Sequence, residues 1–87
     1  MTMDEIKAAK RNRVVGSKQV LKAINEGLAG KVFLADDADP ALLQRLLQAS
    51  QHKEVPVVRV TQMKDLGLWC GIEVGTAAAA ILHEAGR

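Results

Sequence analysis

Residues 31–35 constrain the fold more than any other segment of this chain. Val32, Phe33 and Leu34 follow one another with no polar residue between them. A strand of that kind needs apolar partners on both faces, which is typical of a sheet covered by helices on each side. A helix follows closely, because Asp39 can act as its N-cap and Pro40 suits the first helical position. We therefore expect a doubly buried strand that leads directly into a helix.

The segments around this strand alternate between helical and extended patterns, which predicts an α/β fold, a three-layer α/β/α sandwich. Residues 77–82 are ambiguous, because four consecutive alanines favour a helix while so short a segment also suits a covered strand. The other predicted strands extend over residues 13–15 and 56–60, and a further helix extends over residues 4–11. A second helix is capped by Ser17, has an apolar stripe to Leu28 and is stopped at Gly27. A third is capped by Thr61 and stopped by Gly67.

The length and composition exclude several classes of protein. The 87 residues have room for one core, so we expect a single domain over 1–87. With Phe33 and Trp69 as the only aromatic residues, the core must be aliphatic, and a deep aromatic cofactor pocket is not expected. Cys70 is the only cysteine, which excludes an intramolecular disulfide and disfavours a cysteine-based zinc site. The charged N-terminus and short apolar runs predict a cytoplasmic protein that does not enter membranes.

Charge is distributed unevenly along the chain. Residues 1–31 carry seven basic and three acidic side chains, a net charge of +4, whereas residues 32–87 carry five basic and seven acidic ones, a net charge of −2. One interpretation is a single positive face that follows phosphates. The other is an ordinary solvated surface, and charge alone does not choose between them.

The first candidate site is the strand-to-helix segment of Gly16, Ser17, Lys18, Gln19 and Lys22. The free amides and positive dipole end of a helix start attract anions. Lys18 and Lys22 are one turn apart on the same face, and Gln19 is near enough to act with Lys22. Lysine can bind the acceptor atoms of guanine, and an amide can bind a base edge. The ordinary alternative is a solvated, lysine-rich helix face.

Two further segments carry candidate residues. In the glycine-framed segment 66–75, Ile72 and Val74 would contact unstacked bases if they are exposed. The alternative is that this segment only connects to the last strand, with Leu66 and Trp69 in the core. The carboxylates of residues 36, 37 and 39 follow the buried strand, where magnesium can bind in α/β enzymes, although Asp39 is already explained as a helix cap. The sequence contains no phosphate-binding loop, dinucleotide fingerprint or nucleophile motif, so we predict no catalytic residue.

Four ordered motifs resemble the L-seven-Ae/L-thirty-e ribosomal-protein family, nearest its small bacterial ribosomal-protein-like members. The resemblance extends over about residues 6–82. The motifs are Gly16-Ser17-Lys18-Gln19-x-x-Lys22, Val32-Phe33-Leu34-Ala35-Asp36-Asp37-Ala38-Asp39-Pro40, Val55-Pro56-Val57 and Leu66-Gly67-x-x-Cys70-Gly71-Ile72-Glu73-Val74.

The resemblance implies a mixed four-stranded sheet, with residues 77–82 as a strand, and binding to the kink-turn, a sharply bent RNA element beside tandem sheared G·A pairs. Archaeal and eukaryotic members of the family usually have Asn-Glu where this chain has Lys18-Gln19, and a basic residue often stands where it has Met63, with Lys64 beside it. The implied RNA contacts are groove readers Gly16, Ser17, Lys18, Gln19 and Lys22, the loop residues Ile72, Glu73 and Val74, and the bulge-nucleotide pocket residues Asp39 and Leu43.

The leading hypothesis is therefore a non-catalytic, monomeric RNA-binding protein that stabilises kink-turns in ribosomal RNA or a structured regulatory RNA, without metal or cofactor. Binding would combine phosphate neutralisation with readout of guanine edges. A second hypothesis is a protein-interaction module on the same fold that does not bind RNA. A third is a magnesium-dependent phosphotransferase centred on Asp36 and Asp37.

Overall fold

The fold is built on one mixed four-stranded sheet. The computed structural model describes residues 2–9 and 11–83. The strands lie in the order β1-β4-β2-β3, with β4 antiparallel to both of its neighbours and β2 parallel to β3. The elements are α1 (Thr2–Ala8), β1 (Arg13–Val15), α2 (Ser17–Asn25), β2 (Ala29–Ala35), α3 (Pro40–His52), β3 (Val57–Val60), α4 (Met63–Trp69) and β4 (Ala78–Leu82).

One face of the sheet packs against α2 and α3. Val32 and Leu34 of β2 point into this layer, as do Ala78 and Ala80 of β4. The helices meet them with an aliphatic stripe in which every residue is buried: Val20, Ala23 and Ile24 from α2, and Leu43 and Leu46 from α3. Burial of these side chains supplies most of the attraction between helices and sheet on this side.

The opposite face packs against α1 and α4. Phe33 and Ala79 alternate with the residues of the first layer and meet Ile6 of α1 and Leu66 of α4. Because residues 32–35 of β2 alternate between the two clusters and all four are buried, the prediction of a doubly covered strand is confirmed for them. The three-layer α/β/α arrangement follows directly from these two clusters.

The alanine run resolves as β4, a central strand between β1 and β2. Ala78, Ala79 and Ala80 have no exposed surface. Their small side chains allow helices to approach the sheet from both sides. The mixed four-stranded sheet implied by the family resemblance is present.

Several predicted helix ends are wrong. Ser17 does not cap α2: Gly16 occupies the N-cap position with φ of 104°, and no side chain caps this helix. Thr61 does not cap α4 and Gly67 does not end it, because the helix follows Gln62 and continues to Trp69. The apolar stripe of α2 ends before Leu28, which is 48% exposed beyond the helix.

The predicted helix over residues 4–11 also differs from the observed one. The helix begins at Thr2 and ends at Ala8, and residue 10 lies outside the described residues. Ile6 is fully buried, as its predicted inward position requires.

Candidate nucleic-acid interface

Three helices begin at the same edge of the sheet. Since β4 is antiparallel to both β1 and β2, and β2 is parallel to β3, the carboxyl ends of β1, β2 and β3 lie together. The helices α2, α3 and α4 follow these strand ends after short connections. Their unpaired amides and positive dipole ends therefore converge on one edge.

Carboxylates of the chain itself occupy two of these helix starts. Asp39 caps α3, as predicted, by accepting a hydrogen bond of 3.1 Å from the amide of Leu42. Asp37 accepts a hydrogen bond of 2.8 Å from the amide of Met63 at the start of α4. Sequence reasoning missed this second contact, because its partners are 26 residues apart. Both starts are thus already neutralised from within the protein.

The start of α2 has no such partner. Gly16 is its N-cap and has no side chain to offer, and the conformation at φ of 104° favours glycine. The amide of Gly16 itself donates to the carbonyl of Ala78, which fixes the turn against β4. Among these three helix starts, that of α2 is the one at which no described side chain accepts from a backbone amide, so its amides remain available for an external acceptor.

The side chains of α2 divide into two faces. Val20 and Ile24 are fully buried, whereas Lys18, Gln19 and Lys22 are exposed. The structure therefore places the three predicted polar side chains around the uncapped start, with Ser17 half-buried. This arrangement offers positive charge, an amide and free backbone donors on one side of the helix.

The glycine-framed loop runs back along α4 towards the same edge. The amide of Ile72 donates to the carbonyl of Gly67, and the amide of Thr76 donates to that of Met63. A Cβ atom at Gly67 would lie 2.1 Å from the carbonyl oxygen of Val74, so glycine is required for this approach. Gly67 is therefore a close-packing position within α4.

The two predicted segments meet where this loop enters β4. Ala77 accepts from the amide of Ala35, and Ala78 accepts from that of Gly16, so the loop reaches the α2 start through the sheet edge. Val74 is 70% exposed and Glu73 is exposed, whereas Ile72 is half-buried. The expectation of an exposed apolar loop thus holds for Val74 and only in part for Ile72.

The two proposed pocket residues differ in accessibility. Asp39 is exposed at the edge, but Leu43 is 8% exposed and belongs to the core cluster under α2. Leu43 can therefore offer only a small apolar surface to a nucleotide in this conformation.

The remaining candidates have structural partners. Asp36 forms an ion pair of 2.7 Å with Arg59, so each carboxylate of the acidic cluster has a partner inside the protein. Within residues 2–9 and 11–83, no three His, Cys, Asp or Glu side chains lie close enough to hold a metal ion. Burial raises the pKa of the Cys70 thiol, although the nearby Arg13 guanidinium acts in the opposite direction. No helix of the described residues is both long and apolar enough to cross a membrane.

A groove between α2 and α3 adds residues that sequence reasoning did not select. Lys18 and Lys22 line it from α2, and Arg45 faces them from α3. Arg45 approaches the two lysines because α2 and α3 pack side by side on one face of the sheet, for which the sequence gives no local signal.

The fold and this edge define a small α/β sandwich protein with a basic, uncapped helix start beside a glycine-framed loop. The sequence profile described as "Ribosomal protein L7Ae/L30e/S12e/Gadd45 family" matches residues 2–86. This chain belongs to that family, which confirms the resemblance seen in its motifs.

Individual relatives extend the comparison. An RNA-binding protein of Geobacillus sp. (strain WCH70) is 46% identical over 70 residues, covering 80% of this chain and 85% of its own. An RNA-binding protein of Bacillus pumilus (strain SAFR-032) is 40% identical over 82 residues, covering 94% and 99%. Among solved structures, the Giardia lamblia 15.5kD RNA binding protein superimposes with a TM-score of 0.89 at 30% identity, covering 97% of this chain and 72% of its own.

Proposed function

We propose that this protein is a non-catalytic RNA-binding protein that recognises kink-turns and stabilises their bent form. One observation carries the proposal: α2 begins without a capping side chain and exposes Lys18, Gln19 and Lys22 at the sheet edge where the glycine-framed loop enters β4. The names of the relatives support RNA as the ligand. The motif resemblance supports the kink-turn as the element that is bound.

The α2 start would enter the widened major groove at the G·A pairs. There the lysines would donate to guanine acceptor atoms, and the amide of Gln19 would contact a base edge. The uncapped backbone amides would donate hydrogen bonds to a phosphate or base oxygen in place of a helix cap. These contacts favour one RNA shape, so binding shifts the RNA population towards the kinked state.

The loop would cover bases next to the three-nucleotide bulge. Val74 offers an exposed apolar surface for a base, while the exposed Glu73 would lie at the rim with its charge turned away from phosphates. Asp39 would border the pocket of the flipped-out nucleotide. Its carboxylate already accepts the amide of Leu42, which orients it.

The same proposal includes the cellular setting. We propose a cytoplasmic monomer that acts on ribosomal RNA or a structured regulatory RNA and carries out no chemical step. The three carboxylates nearest the site cap helices or pair with arginine, which supports a structural role for them.

A mobility-shift titration with a kink-turn RNA and a plain duplex of equal length tests this function. We expect the wild type to prefer the kink-turn, and Lys22→Ala to lose about 1–3 kcal/mol of binding free energy. The triple alanine variant of Lys18, Gln19 and Lys22 should bind both RNAs equally weakly while keeping its circular dichroism spectrum. Equal affinity of the wild type for kink-turn and duplex would contradict the proposal.

A further inference from the structure

The groove between α2 and α3, here called the α2/α3 groove, extends beyond the residues that the family resemblance assigns to RNA. Its volume is about 360 Å³. It is lined by Ser17, Lys18, Leu21, Lys22 and Asn25 of α2 and by Leu42 and Arg45 of α3. Neither Asn25 nor the two α3 residues belong to the proposed kink-turn contact.

The spacing of these residues places the groove on the α3 side of the exposed face of α2. Lys18, Lys22 and Asn25 recur at helical intervals, while Val20 and Ile24 point into the core. Leu42 and Arg45 are likewise one turn apart and face α2. The groove therefore arises from the packing of two helices on the sheet.

The groove combines positive charge with an apolar floor. Its lining contains three cations and no carboxylate, and the nearest acidic residue in sequence, Glu26, is the C-cap of α2 outside the lining. The ion pairs in the part of the chain that the structure describes, Lys31–Glu5 and Arg59–Asp36, involve other side chains. Leu21 and Leu42 are half-buried and leave part of their surface in the groove.

This chemistry matches a sugar–phosphate strand better than it matches an isolated base or a small molecule. Phosphate oxygens pair with lysine and arginine, and arginine can bind a phosphate with two parallel hydrogen bonds. The carbon-bound hydrogens of riboses can lie over leucine side chains. Lys18 and Asn25 are seven residues apart, about 10 Å along the helix, which is long enough for more than one nucleotide.

We propose that the α2/α3 groove binds the sugar–phosphate backbone of the RNA stem that flanks the kink, with Arg45 as its contact from α3. This inference rests on the proposed function, since Lys18 and Lys22 line both the groove and the exposed helix start. Asn25 donates or accepts at a ribose hydroxyl further along the strand. The groove fixes the direction in which the stem leaves the protein.

Binding of kink-turn RNAs with a long or a trimmed flanking stem tests the groove. Arg45→Gln removes one exposed charge, and Lys53→Gln is the control, because it removes an equal charge beyond the other end of α3. Affinities are measured at about 50 and about 200 mM salt. Each phosphate contact makes the affinity fall by a further factor of about 3.5 between these two concentrations. We expect the fall in affinity for Arg45→Gln to be smaller by this factor with the long stem only. Lys53→Gln should match the wild type with both RNAs.

The outcomes separate the two proposals. If the wild type prefers the kink-turn but Arg45→Gln matches it on both RNAs at every salt concentration, the groove does not hold the stem, and an acidic protein segment becomes its better occupant. An equal loss on long and trimmed stems would also overturn the inference, because Arg45 would then act without the stem. A wild type that binds kink-turn and duplex equally would overturn the proposed function instead.

Discussion

At the scale of single residues, Val74 is the sharpest probe of the loop. Its side chain is 70% exposed, so Val74→Ala should leave the melting temperature close to that of the wild type. If a base covers it, binding should weaken by about 1–2 kcal/mol, equally at all salt concentrations, because apolar burial releases no counterions. A titration at two salt concentrations, with thermal melting alongside, measures both effects.

Ile72→Ala provides the comparison for this variant. Ile72 is half-buried, so truncation should lower stability as well as binding, and the two losses must be measured separately. If Val74→Ala binds kink-turn RNA as tightly as the wild type, the exposed part of the loop has no contact with the bases.

The acidic residues show which single-residue roles a sequence can reveal. Asp39 was predictable because its acceptor and the capped amide of Leu42 are three residues apart. The contact of Asp37 was not predictable, because Met63 lies near it only through the pairing of β2 with β3, which places the start of α4 at the same edge. The error at Ser17 has a related cause: a preceding glycine at φ of 104° takes the N-cap position and moves the serine into the helix.

The two aspartate caps should have similar effects on stability. We expect Asp37→Ala and Asp39→Ala each to lower the free energy of unfolding by about 1 kcal/mol, because each leaves a helix amide without its acceptor. Urea denaturation followed by circular dichroism measures this change. Asp65→Ala provides the comparison, because that residue lies in the first turn of α4 without capping it, so its removal costs only the attraction of its charge to the helix dipole. Loss of stability confined to Asp39→Ala would show that Asp37 does not act as a cap.

At the scale of elements, β4 shows why local sequence was insufficient. Four alanines favour a helix when considered alone. Their position between β1 and β2, with helices on both faces, makes a strand of small side chains the better solution. Motif resemblance supplied the strand that composition and periodicity left open.

The contact between α4 and the glycine-framed loop gives a test at this scale. Gly67→Ala would place a Cβ atom 2.1 Å from the carbonyl oxygen of Val74, so the loop must move. Overpacking of this kind costs about 1–3 kcal/mol, and in a domain of this size even the smaller value lowers the melting temperature by about 4–8 °C. We also expect weaker RNA binding, because displacement of the loop moves Val74 away from the α2 start.

Leu68→Ala is the control for this prediction. Leu68 is the next residue of α4 and is 60% exposed, so its truncation should leave the melting temperature unchanged. Gly67→Ala with wild-type melting and wild-type RNA affinity would show that the loop position does not depend on this close approach.

At the scale of the whole molecule, the charge asymmetry of the sequence does not become one positive face. Lys31 pairs with Glu5 on the α1 side of the sheet. Arg13 donates to the carbonyls of Ile6 and Cys70 at the end of β1 away from Gly16. The basic N-terminal third therefore supplies the proposed RNA-binding edge with only some of its cations, and the acidic remainder contributes Arg45.

This distribution sets the expected salt dependence of RNA binding. If Lys18, Lys22 and Arg45 supply the phosphate contacts, the logarithm of the binding constant should fall with the logarithm of salt with a slope of about −3, since each contact contributes about −0.9 on a duplex. The 12 lysines and arginines of the chain would otherwise allow a much steeper dependence. Arg13→Gln should keep the wild-type slope if it folds, because its guanidinium is engaged within the protein. Fluorescence anisotropy over a series of salt concentrations measures the slope. A slope near −6 would mean that RNA also contacts a second basic surface, at the opposite end of the sheet.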